Sequence, residues 1–186
     1  MDWARTEAKR LVDQMSVTEK VGLLSTHQVA ISRLNIPEFN IGGEAAHGIV
    51  DREKFHTTSF PIPLTLSQTW SPELLKRVGN VISDEARGLY NATGKQHWLM
   101  PWAPTIDLER DPYWGRNEEG YGEDPYLTGQ VSGGLIRGLQ DDGHYVKVAA
   151  APKHFFANNN EVGRGSTSNT ITPAMKWCLN VTLLVS

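Results

Sequence analysis

At 186 residues, of which 39% are hydrophobic, the chain is long enough to bury a core of its own. Its 18 Lys and Arg against 21 Asp and Glu leave a net charge of -3, which excludes the polybasic field that nucleic acid or anionic lipid would require. A single cysteine, Cys178, excludes an internal disulfide and a cysteine-built metal site, and no apolar run approaches the length of a membrane span.

The first residues, MDWARTEAKR, carry neither an apolar h-region nor a small-residue cleavage site, so the expected location is cytoplasmic. The sequons at Asn91 and Asn180 are then accidental. Ala8, Leu11, Val12 and Met15 stand at helical spacing, and Ser16 to Glu19 forms a capping box ahead of Val21, Leu23 and Leu24. Two short helices joined at Ser16 are expected, both as scaffold. A short strand over 39–41 delivers Gly42, Gly43 and Glu44 to its end, and a second strand is expected over 59–66. Only about ten residues separate Gly48 from that second strand, fewer than a helical crossover takes. Either the two strands are antiparallel or the first unit is irregular. Glu44 and His47 also share the Glu-x-x-His spacing of di-iron bundles, but the flanking glycines deny them a long helix.

Ser71-Pro72-Glu73 starts a helix to about Tyr90, with Leu74, Leu75, Val78, Ile82, Ala86 and Leu89 on its apolar face. An apolar strand over 98–106 follows. Asp124-Pro125 caps a helix to about Gln140, burying Val131, Leu135, Ile136 and Leu139, with Gly133 and Gly134 allowing close packing on a sheet. Asp141-Asp142-Gly143 ends it, and a small-residue strand over 146–151 runs into Pro152-Lys153-His154. Residues 157–170 read as a polar loop. There is no internal repeat or linker, so one domain is expected.

Between the third strand and the last helix lies DLERDPYWGRNEEGYGEDPYL, residues 107–127. Pro112 and its glycines break any helical period, and its polar residues do not alternate as a half-buried strand would. A long ordered loop leaving a strand and entering a helix is where α/β folds place their chemistry.

RDPYWGRNEEGYGEDPYLTG, GGEAAHG (42–48), FPIPLTLSQTWSPELL (60–75) and APKHFFANNNEVGRG (151–165) together resemble the N-terminal domain of glycoside hydrolase family 3. The resemblance runs from Arg5 to Pro173. It implies an incomplete TIM-type (β/α) barrel of the α/β class, roughly its first half, with residues 174–186 as a divergent tail. It also implies a retaining, exo-acting β-glucosidase or β-xylosidase, since KHFFANNNEVGRG lacks the loop that marks the N-acetylglucosaminidases.

In that family the positions matching Glu44, Arg110, Lys153 and His154 bind the hydroxyls of the terminal sugar. They end or follow three different expected strands, so a barrel-like sheet brings them to one rim. Charged groups suit that work, because charge-assisted bonds to hydroxyls are the strong ones. Glu44 stands where many family glucosidases carry aspartate and others, including xylosidases, carry glutamate. Arg116, Glu119, Glu123 and Asp124 read as ion pairs and caps that stiffen the loop.

The resemblance places the nucleophile in a later SDW-type motif, and this sequence contains no such motif. Catalytic residues are therefore expected to be none here. A small carbohydrate, a β-glucoside or β-xyloside, is the expected partner, with no nucleic acid, membrane, metal or cofactor. A non-catalytic sugar-binding module is the alternative, since it needs the same hydroxyl-binding set.

Overall fold

The structure, a computed structural model, describes residues 2–141, 143, 145–155, 158, 160 and 161. The expected tail over 174–186 and most of the polar loop over 157–170 lie outside the described residues. Five helices are described: α1 (Asp2–Asp13), α2 (Val17–Gly22), α3 (Pro63–Ser67), α4 (Pro72–Thr93) and α5 (Pro125–Gln140). Two short strands, β1 (His27–Gln28) and β2 (Phe39–Asn40), pair antiparallel, with His27 opposite Asn40.

Helix starts follow from local chemistry. Ser16 accepts from the Glu19 amide while the Glu19 carboxylate accepts from the Ser16 amide, so both orphan donors are satisfied. Arg33 then grips Glu19, tying α2 to the turn before β2 and holding that carboxyl down at about 2. Ser71 and Asp124 cap α4 and α5, each with proline in the first turn. The scaffold role expected of α1 and α2 is corrected: Met15 is buried, but Trp3, Val12, Val17, Val21 and Leu24 face solvent.

The expected strand over 59–66 is also corrected. Pro61 and Pro63 cannot donate to a ladder, and Pro63 is preorganised for a first helical turn, so residues 63–67 coil into α3. The strand expected from residue 98 opens instead as a 3-10 turn, Gln96–Leu99. The rest survives as segments held side by side by isolated bonds. Gly42 donates to the Met100 carbonyl and Trp102 to Gly43, placing Glu44 parallel to Trp102. On the other edge Ala149 donates to Leu99, Lys153 to Pro104, and Ile106 to Lys153, placing Thr105 parallel to Lys153. Pro101, Pro104 and Pro152 remove ladder donors, which keeps these from being continuous strands.

The spatial order is thus 42–44, 99–106, 149–153, all parallel, with α4 and α5 as the two crossovers. No closed barrel exists among the described residues. Helices α4 and α5 lie side by side in the same direction, since Gly134 faces Pro72 and Gly138 faces Lys76 and Asn80. Leu75, Ile82, Ala86, Val131, Leu135 and Leu139 fill the layer between them and the parallel segments, with Ile49, Ala103 and Val148. Each fully buried aliphatic side chain there contributes about 1.5–3 kcal/mol. Gly134 packs on α4 rather than on a sheet, and Gly133 meets only the Arg137 side chain.

Candidate functional site

The parallel order carries the ends of three segments to one place. Gly43 turns at φ 84, the left-handed region that favours glycine, with its Cβ position 3.3 Å from the Trp98 ring, and hands the chain to Glu44. Glu44 Oε1 accepts from the amides of Ala45 and Ala46, both at 2.9 Å, which fixes its carboxylate. Its Oε2 accepts from Lys153 Nζ at 3.0 Å across 109 residues of sequence. Lys153 is only 7% exposed, and its ammonium also lies 3.5 Å from Glu119 Oε2.

Glu119 ends the 3-10 turn Asn117–Glu119 within the long loop. Arg116 clamps it with two parallel bonds, Nε to Oε1 and Nη2 to Oε2, each 2.7 Å. The remaining guanidinium nitrogen, Nη1, lies 3.2 Å from His154 Nε2. A guanidinium only donates, so Nε2 accepts, and the proton of the neutral ring sits on Nδ1. From there it is donated to Asp107 Oδ2 at 2.7 Å. Asp107 is nearly buried at the end of segment 99–106 and accepts the His154 amide as well. Asn158 Nδ2 lies 2.8 Å from the same Nδ1.

Of the four expected sugar-site residues, the structure brings Glu44 and Lys153 into direct contact and links His154 to them through Arg116 and Glu119. Both ring nitrogens of His154 already have protein partners. Arg110 follows Glu109 on the same loop and is half-buried, and the bonds joining the other three do not pass through it. Asp107, Arg116 and Glu119 are additions to the expected set. The Arg116–Glu119 pair is legible in sequence from its i,i+3 spacing, but its reach to Lys153 and His154 is not.

A cleft of about 250 Å³ opens beside this network, walled by Glu44, Ala46, His47, Ile62, Pro63 and Glu119. His47 holds one wall by bonding the Phe60 carbonyl. A larger cleft of about 410 Å³, between the starts of α4 and α5, is mostly apolar, and its one carboxylate, Asp124, is spent on the α5 cap. A third cleft, of about 320 Å³, is lined by Glu44 with Asp51, Arg52, Glu53, Lys95 and His97; of the three, the 250 Å³ cleft is the one that Glu44 and Glu119 share. Among the described residues no three His, Cys, Asp or Glu side chains are placed to hold a metal ion, and no helix is long and apolar enough to cross a membrane.

Arg116 holds the Glu119 carboxyl below the usual carboxylate range, first by its hydrogen bonds and then by its charge. A lowered folded value contributes stability that is fully present above the ordinary glutamate value of about 4.3 and lost as pH falls through the folded one. The melting temperature should therefore fall more steeply between about pH 5 and pH 3 in the wild type than in Glu119→Gln. Equal slopes in thermal melts would show that the clamp adds nothing to folding.

The sequence matches the model of the glycosyl hydrolase family 3 N terminal domain over residues 8–180. It is 38% identical over 159 residues to beta-xylosidase/alpha-L-arabinofuranosidase 1 of Medicago sativa subsp. varia, covering 79% of this chain and 20% of that protein. To the xylan 1,4-beta-xylosidase of Xylanibacter ruminicola it is 34% identical over 176 residues, covering 89% and 20%. The structure is similar to the exo-beta-xylosidase XlnD in complex with a xylobiose aziridine probe, with a TM-score of 0.68 and 30% identity, covering 86% of this chain and 22% of that one. It is similar also to a beta-glucosidase of Bifidobacterium adolescentis, with a TM-score of 0.65 and 31% identity, covering 82% and 21%. The chain thus spans about a fifth of the length of these relatives.

Proposed function

The chain belongs to glycosyl hydrolase family 3, whose N-terminal domain it matches, and on that premise we propose that it grips the terminal sugar for a retaining, exo-acting β-glycosidase. The three parallel segments and their two helical crossovers are, in this reading, the opening units of a (β/α) barrel, and the site lies at the ends of its strands. The substrate is a β-xyloside or β-glucoside. Xylosidase names among the relatives and a glutamate at position 44 favour the xyloside.

The observation that carries this reading is the unfilled hydrogen-bonding capacity of the Glu44–Lys153 pair. A carboxylate offers about four acceptor sites, and Ala45, Ala46 and Lys153 take three of those on Glu44. An ammonium has three donors, and Glu44 and Glu119 take two of those on Lys153. One acceptor and one donor are left side by side. A hydroxyl, which donates once and also accepts, satisfies both, whereas a cation or an anion satisfies only one. Arg110 and His154 complete the set by the family resemblance, His154 acting through Arg116 unless a sugar displaces that contact.

Titration of the chain with xylose and with glucose, followed by protein NMR, tests this. Binding weaker than about 1 mM is expected, which is at most about -4 kcal/mol. Lys153→Met, which keeps the apolar stem and removes the donor, should abolish it. A folded chain that binds neither sugar, or binds as well with methionine, would sink the reading.

A further inference from the structure

We propose that Glu119 is a sugar-binding residue as well as a clamp, taking a second hydroxyl next to the one held by Glu44 and Lys153, so that the site selects a vicinal diol. This rests on the sugar-site reading above.

Glu119 reads in sequence as one of several loop-stiffening acids, and a structural counterion for Arg116 is the simpler role. Three observations go beyond that role. First, Glu119 walls the same cleft as Glu44. Second, Arg116 takes one acceptor site on each of its oxygens and Lys153 takes one more on Oε2, which leaves about one of four unfilled. Third, its direction is fixed: both oxygens are held by Arg116, which is itself held against His154, and His154 against the nearly buried Asp107.

The spacing then selects the ligand. Glu44 Oε2 and Glu119 Oε2 lie 3.0 and 3.5 Å from the same nitrogen, and the open acceptor site on Glu119 is on Oε1. Two C–O bonds put Oε1 at most about 2.5 Å farther, so the two open acceptors are no more than about 9 Å apart. Hydroxyl-to-carboxylate bonds are about 2.5–2.7 Å long. Two hydroxyl oxygens fitted between those carboxylates at such lengths are neighbours on one ring, not groups on its opposite sides. The Lys153 ammonium, between the carboxylates, supplies the remaining donor to one of the pair. An acceptor, donor, acceptor row of this kind is complementary to adjacent hydroxyls and leaves a lone alcohol half bound.

The experiment compares the parent sugar with its singly deoxygenated forms, titrated into the wild-type chain and into Glu119→Gln. In the wild type, removal of either member of the diol should weaken binding about tenfold, as loss of a hydrogen bond to a charged group does. In Glu119→Gln one of those two penalties should shrink to about twofold while the other persists, since the variant has already lost that carboxylate partner. If the glutamine variant does not fold, Glu119→Asp carries the same comparison, because it keeps the charge and withdraws it by one methylene. The carboxyl carbon shift of Glu119 in wild-type protein is an independent readout: it should move with the parent sugar and not with one deoxy form. Penalties identical in wild type and variants overturn the role of Glu119 alone. Binding that survives Lys153→Met, or no sugar binding by the wild type, removes the sugar-site reading and this inference with it.

Discussion

The purified 186-residue chain is expected to leave aryl β-xylosides and aryl β-glucosides uncleaved above background. A retaining mechanism needs two carboxyl groups about 5–5.5 Å apart, one a nucleophile and the other carrying a proton at working pH. Glu44 and Glu119 are near enough to each other to raise the question. They do not meet the second condition, because Lys153 stands between them and Arg116 holds the Glu119 carboxyl low, which is the wrong direction for a proton donor. Burial does push one carboxyl up, that of Glu109, but its side chain packs against Gly120 and belongs to neither wall of the cleft. On the proposed reading the site holds a sugar but supplies no acid to protonate a leaving group. Loss of a catalytic nucleophile commonly removes several orders of magnitude of rate, far more than loss of a binding contact. Assay of the wild type beside Lys153→Met decides it: turnover in the first that vanishes in the second would reveal a working carboxylate pair around that ammonium.

How much of this was legible in the sequence depends on whether the signal was local. Ser16 with Glu19, Ser71 with Pro72, and Asp124 with Pro125 each announce a helix start within four residues, and all three caps form as the pattern requires. The apolar faces of α4 and α5 were legible for the same reason, apart from Leu74 and Ile136, which are only half-buried. Amphipathic spacing failed at α1 and α2, because periodicity shows which face can be buried and not whether anything covers it. Strands were the weakest part. Apolar runs at 59–66 and 98–106 read as strands, yet Pro61, Pro63, Pro101 and Pro104 were visible and each deletes a ladder donor. At the site, Glu44 and Lys153 were legible singly as charged residues at strand ends. The Lys153–Glu119 contact and the Arg116–His154 contact needed the tertiary fold, since the first spans 34 residues and the second 38.

The site depends on the helix layer behind it, and a single added methyl there, at Gly138, should be strongly destabilising. A Cβ at Gly138 would stand 2.1 Å from the Lys76 carbonyl oxygen and 2.9 Å from the Asn80 amide nitrogen. Gly79 and Gly134 have the same character, with carbonyl oxygens of Leu135 at 2.4 Å and Pro72 at 2.3 Å. These obstacles are backbone atoms of a neighbouring helix, which cannot swing aside as a side-chain end can. Gly138→Ala must therefore push α4 and α5 apart and thin the contacts of Leu75, Ile82, Leu135 and Leu139 between them. The expected cost is about 3 kcal/mol, at the upper end for overpacking, and corresponds to a drop of roughly 10 °C in melting temperature for a domain of this size. Against it runs the gain that alanine brings inside a helix, about 1 kcal/mol, which is too small to offset the clash. Gly88 in α4 provides the control, because nothing lies within 4 Å of a Cβ there. Gly88→Ala should raise the melting temperature by a few degrees through helix propensity alone. Opposite signs at the two glycines would locate the close approach of the helices. Melting temperatures that shift the same way would mean that α4 and α5 are not packed backbone to backbone, and the frame that aligns segments 99–106 and 149–153, with Lys153 at its end, would need another explanation.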